Sequence, residues 1–171
     1  MKIKLSVLGL ITLFISASAN SQTVDEKYVK DVKSIDAIIT AYYNVISGAR
    51  TDPWQYERDT YLHSKTAIIV RLDNNGNANV HTLEAEYIPL LLIPKEDFYE
   101  IEIKRKVSEF GNMAQVWSAY EVRMNPETAS NTRGLNSIQL HFENDRWFID
   151  GWTTQMETNA NTIVSDFLKT D

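Results

Sequence analysis

The chain changes rhythm near Pro94, from apolar stripes at helical spacing to alternation of apolar and polar positions. Before that point the clearest stripe is Ile35, Ile38, Ile39, Tyr42, Tyr43 and Ile46, spaced i, i+3, i+4, i+7, i+8 and i+11. That spacing predicts one face of an amphipathic helix, with Ser34 placed to cap it and Gly48 to end it. Asp52-Pro53 predicts the cap and first position of a second, shorter helix reaching about Tyr61. The β-branched run Thr66-Ala67-Ile68-Ile69-Val70 predicts a strand over 65–72, and Asn75-Gly76 a tight turn after it. Thr82 predicts the start of a third helix carrying Leu83, Tyr87, Leu90 and Leu91. Pro89 either kinks that helix or ends it near Ile88.

Beyond Pro94 the period is two. Tyr99, Ile101, Ile103 and Val107 alternate with charged neighbours; after a turn at Gly111-Asn112 come Val116, Ser118, Tyr120, Val122 and Met124. A polar loop over 125–132 leads to Ile138, Leu140 and Phe142, then Glu143-Asn144-Asp145 turns into Trp147, Phe148 and Ile149. Long strands joined by short polar turns predict an antiparallel meander. Ile163, Val164, Phe167 and Leu168 predict a short closing helix. Helices first and a bent sheet after make an α+β domain over 31–171, with one sheet face under the helices and the other toward solvent or a partner. Residues 20–30 are polar and are expected to form a loose arm.

The first residues have a different character. Lys2 and Lys4 precede an apolar run from Leu5 to Ile15, and Ala17-Ser18-Ala19 offers small residues for cleavage after Ala19. This pattern predicts a signal peptide over 1–19 and a protein that is periplasmic or secreted. The run is too short for a spanning helix, and no later stretch is long and apolar enough for one. The leader holds two Lys and no acid, so a formal charge of −6 becomes −8 once it is removed. Such a charge argues against nucleic acid as a partner, since Lys104-Arg105-Lys106 is the one basic cluster. There is no Cys, hence no disulfide, thiolate metal site or cysteine nucleophile.

Three sequence blocks carry a resemblance. They are IDAIITAYYNVISGA, GNMAQVWSAYEVRM and GLNSIQLHFENDRWFIDGWTTQ, at residues 35–49, 111–124 and 134–155. Together they resemble the nuclear transport factor 2-like superfamily, especially its SnoaL-like and ketosteroid-isomerase-like branches. The resemblance implies a cone: a curved antiparallel sheet wrapped around a long N-terminal helix, with a pocket at the open end. It covers isomerases, dehydratases and cyclases as well as binding and assembly modules, so the fold does not choose among them. Catalytic members need an inward Asp or His as base and a Tyr or Asp as hydrogen-bond donor. The alternation places Ile138, Leu140 and Phe142 inward and puts no Asp on an inward strand position.

Candidate pocket residues follow from the same parity. Tyr43, Tyr61, Tyr99 and Tyr120 belong to elements that should face the interior, where a phenol needs a hydrogen-bond partner; plain core packing is the alternative. Asn136 shares the parity of Ile138, and Arg105 that of Ile103 and Val107. An inward Arg would favour a carboxylate-bearing ligand. His63, His81 and His141 do not have the spacing of a metal site, and neither a metal nor a cofactor is expected. Trp117, Gln139, His141 and Trp152 fall on the outer parity, an aromatic patch that predicts a homodimer through the sheet face. The leading expectation is an exported small-molecule-binding domain without assignable catalysis. The alternatives are an isomerase, dehydratase or cyclase with Tyr43 or Tyr120 as electrophile, and a protein-protein assembly module.

Overall fold

The computed structural model describes residues 27–130 and 132–169. The leader and residues 20–26 of the arm lie outside them. α1 (Ile35–Ile46) buries Ile35, Ile38, Ile39, Tyr42 and Tyr43, and the Ser34 hydroxyl caps it by accepting from Ala37 N at 3.1 Å. Gly48 follows the helix end with φ +146°, and its backbone pairs with Phe98. α2 is shorter than Asp52-Pro53 suggests, spanning Tyr56–Leu62. The reason is that Asp52 turns backward, accepting from Ala49 N at 2.8 Å, so it cannot cap forward. The described end of the arm is docked: Tyr28 is buried with its ring 5.4 Å from that of Tyr61.

β1 (His63–Leu72) and β2 (Ala78–Thr82) form the early hairpin, and Asp73 Oδ1 gathers the amides of Asn75 and Asn77 in its turn. Thr82 caps α3 (Leu83–Leu91), which runs past Pro89. The meander then has four strands: β3 (Tyr99–Phe110), β4 (Met113–Arg123), β5 (Thr132–Glu143) and β6 (Arg146–Met156). The sheet order is β2-β1-β6-β5-β4-β3. Its one departure from the antiparallel expectation is β1, which lies parallel to β6, so the curved sheet is mixed. The core joins the buried stripe of α1 to Ile69, Val116, Ile138, Leu140 and Ile149 on the inner sheet face.

Two bulges decide which side chains face that core. One falls between Glu102 and Lys104 on β3, the other at Asp150 on β6, where Gln139 pairs with Gly151 but Leu140 pairs with Ile149. An extra residue in one strand reverses the facing of everything after it. Trp152 therefore lies opposite Ile138 and is buried, packed on Tyr42 at 5.3 Å, and does not belong to the outer patch. Trp117, Gln139 and His141 keep the outer parity, with Trp117 45% exposed. His141 Nδ1 meets Asp150 at 2.8 Å, and its ring stacks on Phe148. α4 (Ser165–Leu168) rests beside β3, where Lys106 lies 5.3 Å from the Phe167 ring.

Candidate functional site

Between α1, α3 and the inner sheet face lies a cavity of about 410 Å³. Its walls are mostly aromatic and aliphatic: Tyr42 from α1, Trp54 from the segment before α2, Tyr87 and Leu90 from α3, Phe98 just before β3, and Trp152 from β6. A volume of this size within an apolar lining is what small-ligand sites show. The polar groups come from three neighbouring strands. Cross-strand pairing aligns Ser118, Asn136 and Thr154 across β4, β5 and β6, all on one face and all buried.

A directional chain of hydrogen bonds holds this row. Ser118 Oγ donates to the Glu102 carboxylate, so the Tyr43 hydroxyl, 2.7 Å away, must donate to Ser118. Tyr43 in turn accepts from Asn136 Nδ2 at 3.2 Å. Glu102 is held by Arg105, whose other end reaches Asp36 Oδ1 at 3.0 Å. The chain fixes the Asn136 amide with its nitrogen turned away, and Asn136 Oδ1 is left buried without a partner. Such an orphaned acceptor is costly unless something binds it.

Glu100 is the cavity carboxylate nearest this row, 3.5 Å from Asn136 Nδ2. Ser47, capping the end of α1, both donates to Glu100 O at 3.1 Å and accepts from Glu100 N at 3.0 Å, so helix and strand are tied where this side chain projects. Glu100 pairs across the sheet with Val122, and Glu102 with Tyr120, which places both acids on the inner face. Burial pushes the Glu100 carboxyl up to about 7, against the opposing pull of Asn136 and Arg71. Burial, and secondarily the charge of Glu100, pushes the Tyr120 phenol up to about 12, so it stays protonated. Its hydroxyl lies 2.8 Å from Thr154 Oγ1, and its ring lies over Gly134, where an added Cβ would come within 2.4 Å of it.

A second buried acid lines the far wall. Asp59 is 1% exposed; burial raises its carboxyl above the ordinary range, against His63, whose Nδ1 lies 3.4 Å from Asp59 Oδ1. His63 is sandwiched near Tyr42 and Trp152, and its Nδ1–H donates to the Asp59 carbonyl at 2.7 Å. Arg71 enters from β1 and is paired with Glu86, which also meets His81.

Of the residues singled out by sequence, Tyr120 and Asn136 line the cavity and Tyr43 stands directly behind Asn136. Three do not belong to it. Tyr61 packs on Tyr28 and on the Arg146 guanidinium, 3.8 Å from its ring, because α2 turns that face toward β6. Tyr99 pairs with Arg123 and shares the outer face of Ile101. Arg105 does face inward, opposite Ser118, but it is consumed by Glu102 and Asp36 and leaves no guanidinium for a ligand carboxylate. The alternation that put Tyr99, Ile101 and Ile103 inward is corrected on β3, where Glu100 and Glu102 take the inward positions. On this edge strand Ile101 and Ile103 are the exposed set, 39% and 42%, and the acids face the cone. The sequence signal for this was the polar pair Ser118 and Asn136 at otherwise apolar inward positions, which need polar partners across the sheet.

No family model and no curated protein matches the chain. Solved structures do. A nuclear transport factor 2-like protein of unknown function from Shewanella baltica OS155 overlays 82% of this chain and 100% of its own, at 13% identity and a TM-score of 0.50. A protein of unknown function with a cystatin-like fold from Nostoc punctiforme PCC 73102 covers 73% of this chain and 90% of its own, at 9% identity and a TM-score of 0.56. A proposed dehydratase of the nuclear transport factor 2-like family from Streptomyces avermitilis covers 72% and 94%, at 14% identity and a TM-score of 0.52. At such identities the likeness concerns architecture, and the architecture agrees throughout: the chain has the nuclear transport factor 2-like fold.

Proposed function

We propose that the protein binds a small, largely apolar molecule inside the cone, and that it does so in the periplasm or after secretion. The observation that carries the binding reading is the cavity itself: aromatic walls around a buried polar atom, Asn136 Oδ1, that has no hydrogen-bond partner among the described residues. A cone packed for assembly alone would be filled by its own side chains. The extracytoplasmic setting rests on the leader pattern of residues 1–19. Binding is tested with prodan, a small neutral dye, whose emission shifts to the blue on entering an apolar site. Val122→Trp, which fills the cavity from β4, is expected to weaken binding at least tenfold while leaving the melting temperature within a few degrees. Equal binding by the filled variant, or none by either protein, would overturn the reading.

Glu100 favours a second reading, an acid–base enzyme of the isomerase, dehydratase or cyclase kind. A carboxyl near 7 is suited to take and return a proton at neutral pH, and the protonated Tyr120 supplies a donor on the same wall. Solvent deuterium entering a bound enolisable ketone, and failing to do so in Glu100→Gln, is its measurement.

The outer face supports a proposal of its own, a homodimer through the sheet. With Trp152 turned inward, its centre is Trp117, paired with Ser137 and Lys106, and Gln139, His141 and the exposed Ile101 share the face. Light scattering of the mature protein at tens of micromolar is expected to give twice the monomer mass, and Trp117→Glu to give the monomer with the fold intact. A monomer mass for the unaltered protein defeats the proposal.

A further inference from the structure

The polar groups that the cavity leaves open are of one chemical kind. Asn136 has its nitrogen engaged by Tyr43 and its oxygen free. Asp59 is as deeply buried, both residues being 1% exposed, and its carboxylate has only the Tyr87 hydroxyl and the His63 ring beside it. Glu100 Oε1 receives only a long bond from Asn136 Nδ2, at 3.5 Å. Tyr87, 3% exposed, turns its hydroxyl to the Asp59 carboxylate. Asn136 Oδ1 and the Glu100 carboxylate therefore lack donors, while the amide and guanidinium donors nearby are spent.

The charges point the same way. Four carboxylates line the cavity: Asp59, Glu86, Glu96 and Glu100. Against them stands Arg71, already paired with Glu86. Lys95 lies 5.2 Å from the centre of the Trp54 ring and is not part of the cavity lining, and His81 is occupied by Glu86. His63 faces Asp59, but through a ring nitrogen whose hydrogen goes to the backbone. An anionic guest would meet uncompensated carboxylates in a poorly hydrated space. A cationic guest would meet them together with Tyr42, Trp54, Tyr87 and Trp152, whose ring faces attract a cation. A metal ion is a poor fit, since a hard cation needs oxygens converging within coordination distance, and no group of three or more His, Asp or Glu side chains does so among the described residues.

Building on the binding reading, we infer that the cone takes an organic ammonium ion: a protonated amine on an aromatic or aliphatic body, its N–H groups directed at Glu100 and Asn136, with the Asp59 carboxyl adding its charge from across the cavity. The body fills the aromatic cavity, and the ammonium group supplies both the charge and the donors that the chain lacks there.

The inference has a thermodynamic signature. Glu100 attracts the cation only when ionised, so its share of the affinity follows its ionised fraction. With the carboxyl near 7, raising the pH from 6 to 8 ionises it, and amine binding tightens roughly tenfold. The groups bearing on this titration are Arg71 from β1, Asn136 from β5, Tyr120 from β4, Tyr42 and Tyr43 from α1, and Glu102 on its own strand. Glu86 and Asp59 face it across the cavity.

The test uses three probes with one skeleton: 2-phenylethylamine, which stays protonated throughout this range, neutral propylbenzene, and anionic 3-phenylpropionate. Each is titrated into the protein at pH 6 and pH 8, following tryptophan emission, to which Trp54 and Trp152 in the cavity wall contribute. The amine is expected to bind at least tenfold tighter than either other probe at pH 8, and to lose most of that advantage at pH 6. Glu100→Gln is expected to abolish the pH dependence, and Asp59→Asn to weaken the amine without affecting propylbenzene. Propylbenzene binding as tightly as the amine, or an amine affinity that ignores pH, would overturn the ammonium inference while leaving the binding reading intact. Failure of all three probes to bind would remove both.

Discussion

Replacing Glu100 by Gln is expected to raise the melting temperature of the ligand-free protein at pH 8 and to leave it nearly unchanged at pH 5. The carboxyl is held near 7 in the fold, mainly by burial, against an ordinary value of 4.5. A carboxyl raised in this way binds more protons folded than unfolded between those two values, so stability falls as pH climbs through that window and is flat above it. The full effect is up to about 3 kcal/mol, at 1.36 kcal/mol per unit. In a domain of this size that amounts to roughly 6–12 °C. Gln cannot ionise, so the variant escapes the loss above pH 7, whereas below 5 the unaltered side chain is already neutral. Asp59, also raised by burial, adds a loss of the same sign that persists in the variant. Calorimetry across pH 4–9 checks this, and coincident melting curves for the two proteins at pH 8 would show that Glu100 is not desolvated in the cone. A site more stable without its carboxylate is one where the carboxylate is kept for binding or chemistry.

Gly151→Ala should be the most damaging single methyl group that can be added to the chain. A Cβ there would lie 2.4 Å from Ile68 O and 3.2 Å from Ile68 N, on a backbone with φ +157°. These atoms belong to β1 and cannot swing aside as a side-chain tip can, so the parallel β1–β6 pairing has to open at the Ile68–Gly151 pair. Arg71 and the wall that carries it would move with β1. A loss on the order of 4 kcal/mol, or about 10 °C, is expected. Faster amide exchange in β1, and weaker binding of any probe of the cone, should accompany it. Gly76→Ala is the control. It has positive φ in the hairpin turn but nothing within 4 Å of an added Cβ, so only the conformational cost of about 1 kcal/mol applies. Equal losses in the two variants would mean that the close approach at Ile68 contributes nothing.

Much of the architecture was legible from residue types alone, because those signals are local. The α1 stripe, the Ser34 and Thr82 caps, the Asn75-Gly76 turn and the alternation of β4 and β5 each depend on a few neighbouring residues. Asn136 faces inward because no bulge interrupts β5 between it and Ile138. The remainder depended on pairing between distant segments. Parity carried along a strand holds only up to the next bulge, and the bulges at Ile103 and Asp150 are settled by how β3 meets β4 and how β6 meets both β5 and β1. One extra residue moved Trp152 from the outer face into the cavity, and the register of the edge strand brought Glu100 and Glu102 in while Ile101 and Ile103 went out. Local patterning was enough to specify an α+β domain with helices over one face of a long sheet. Which acids and which aromatics meet inside the cone was decided only by tertiary structure, since strand facing is inherited from partners far away in the chain.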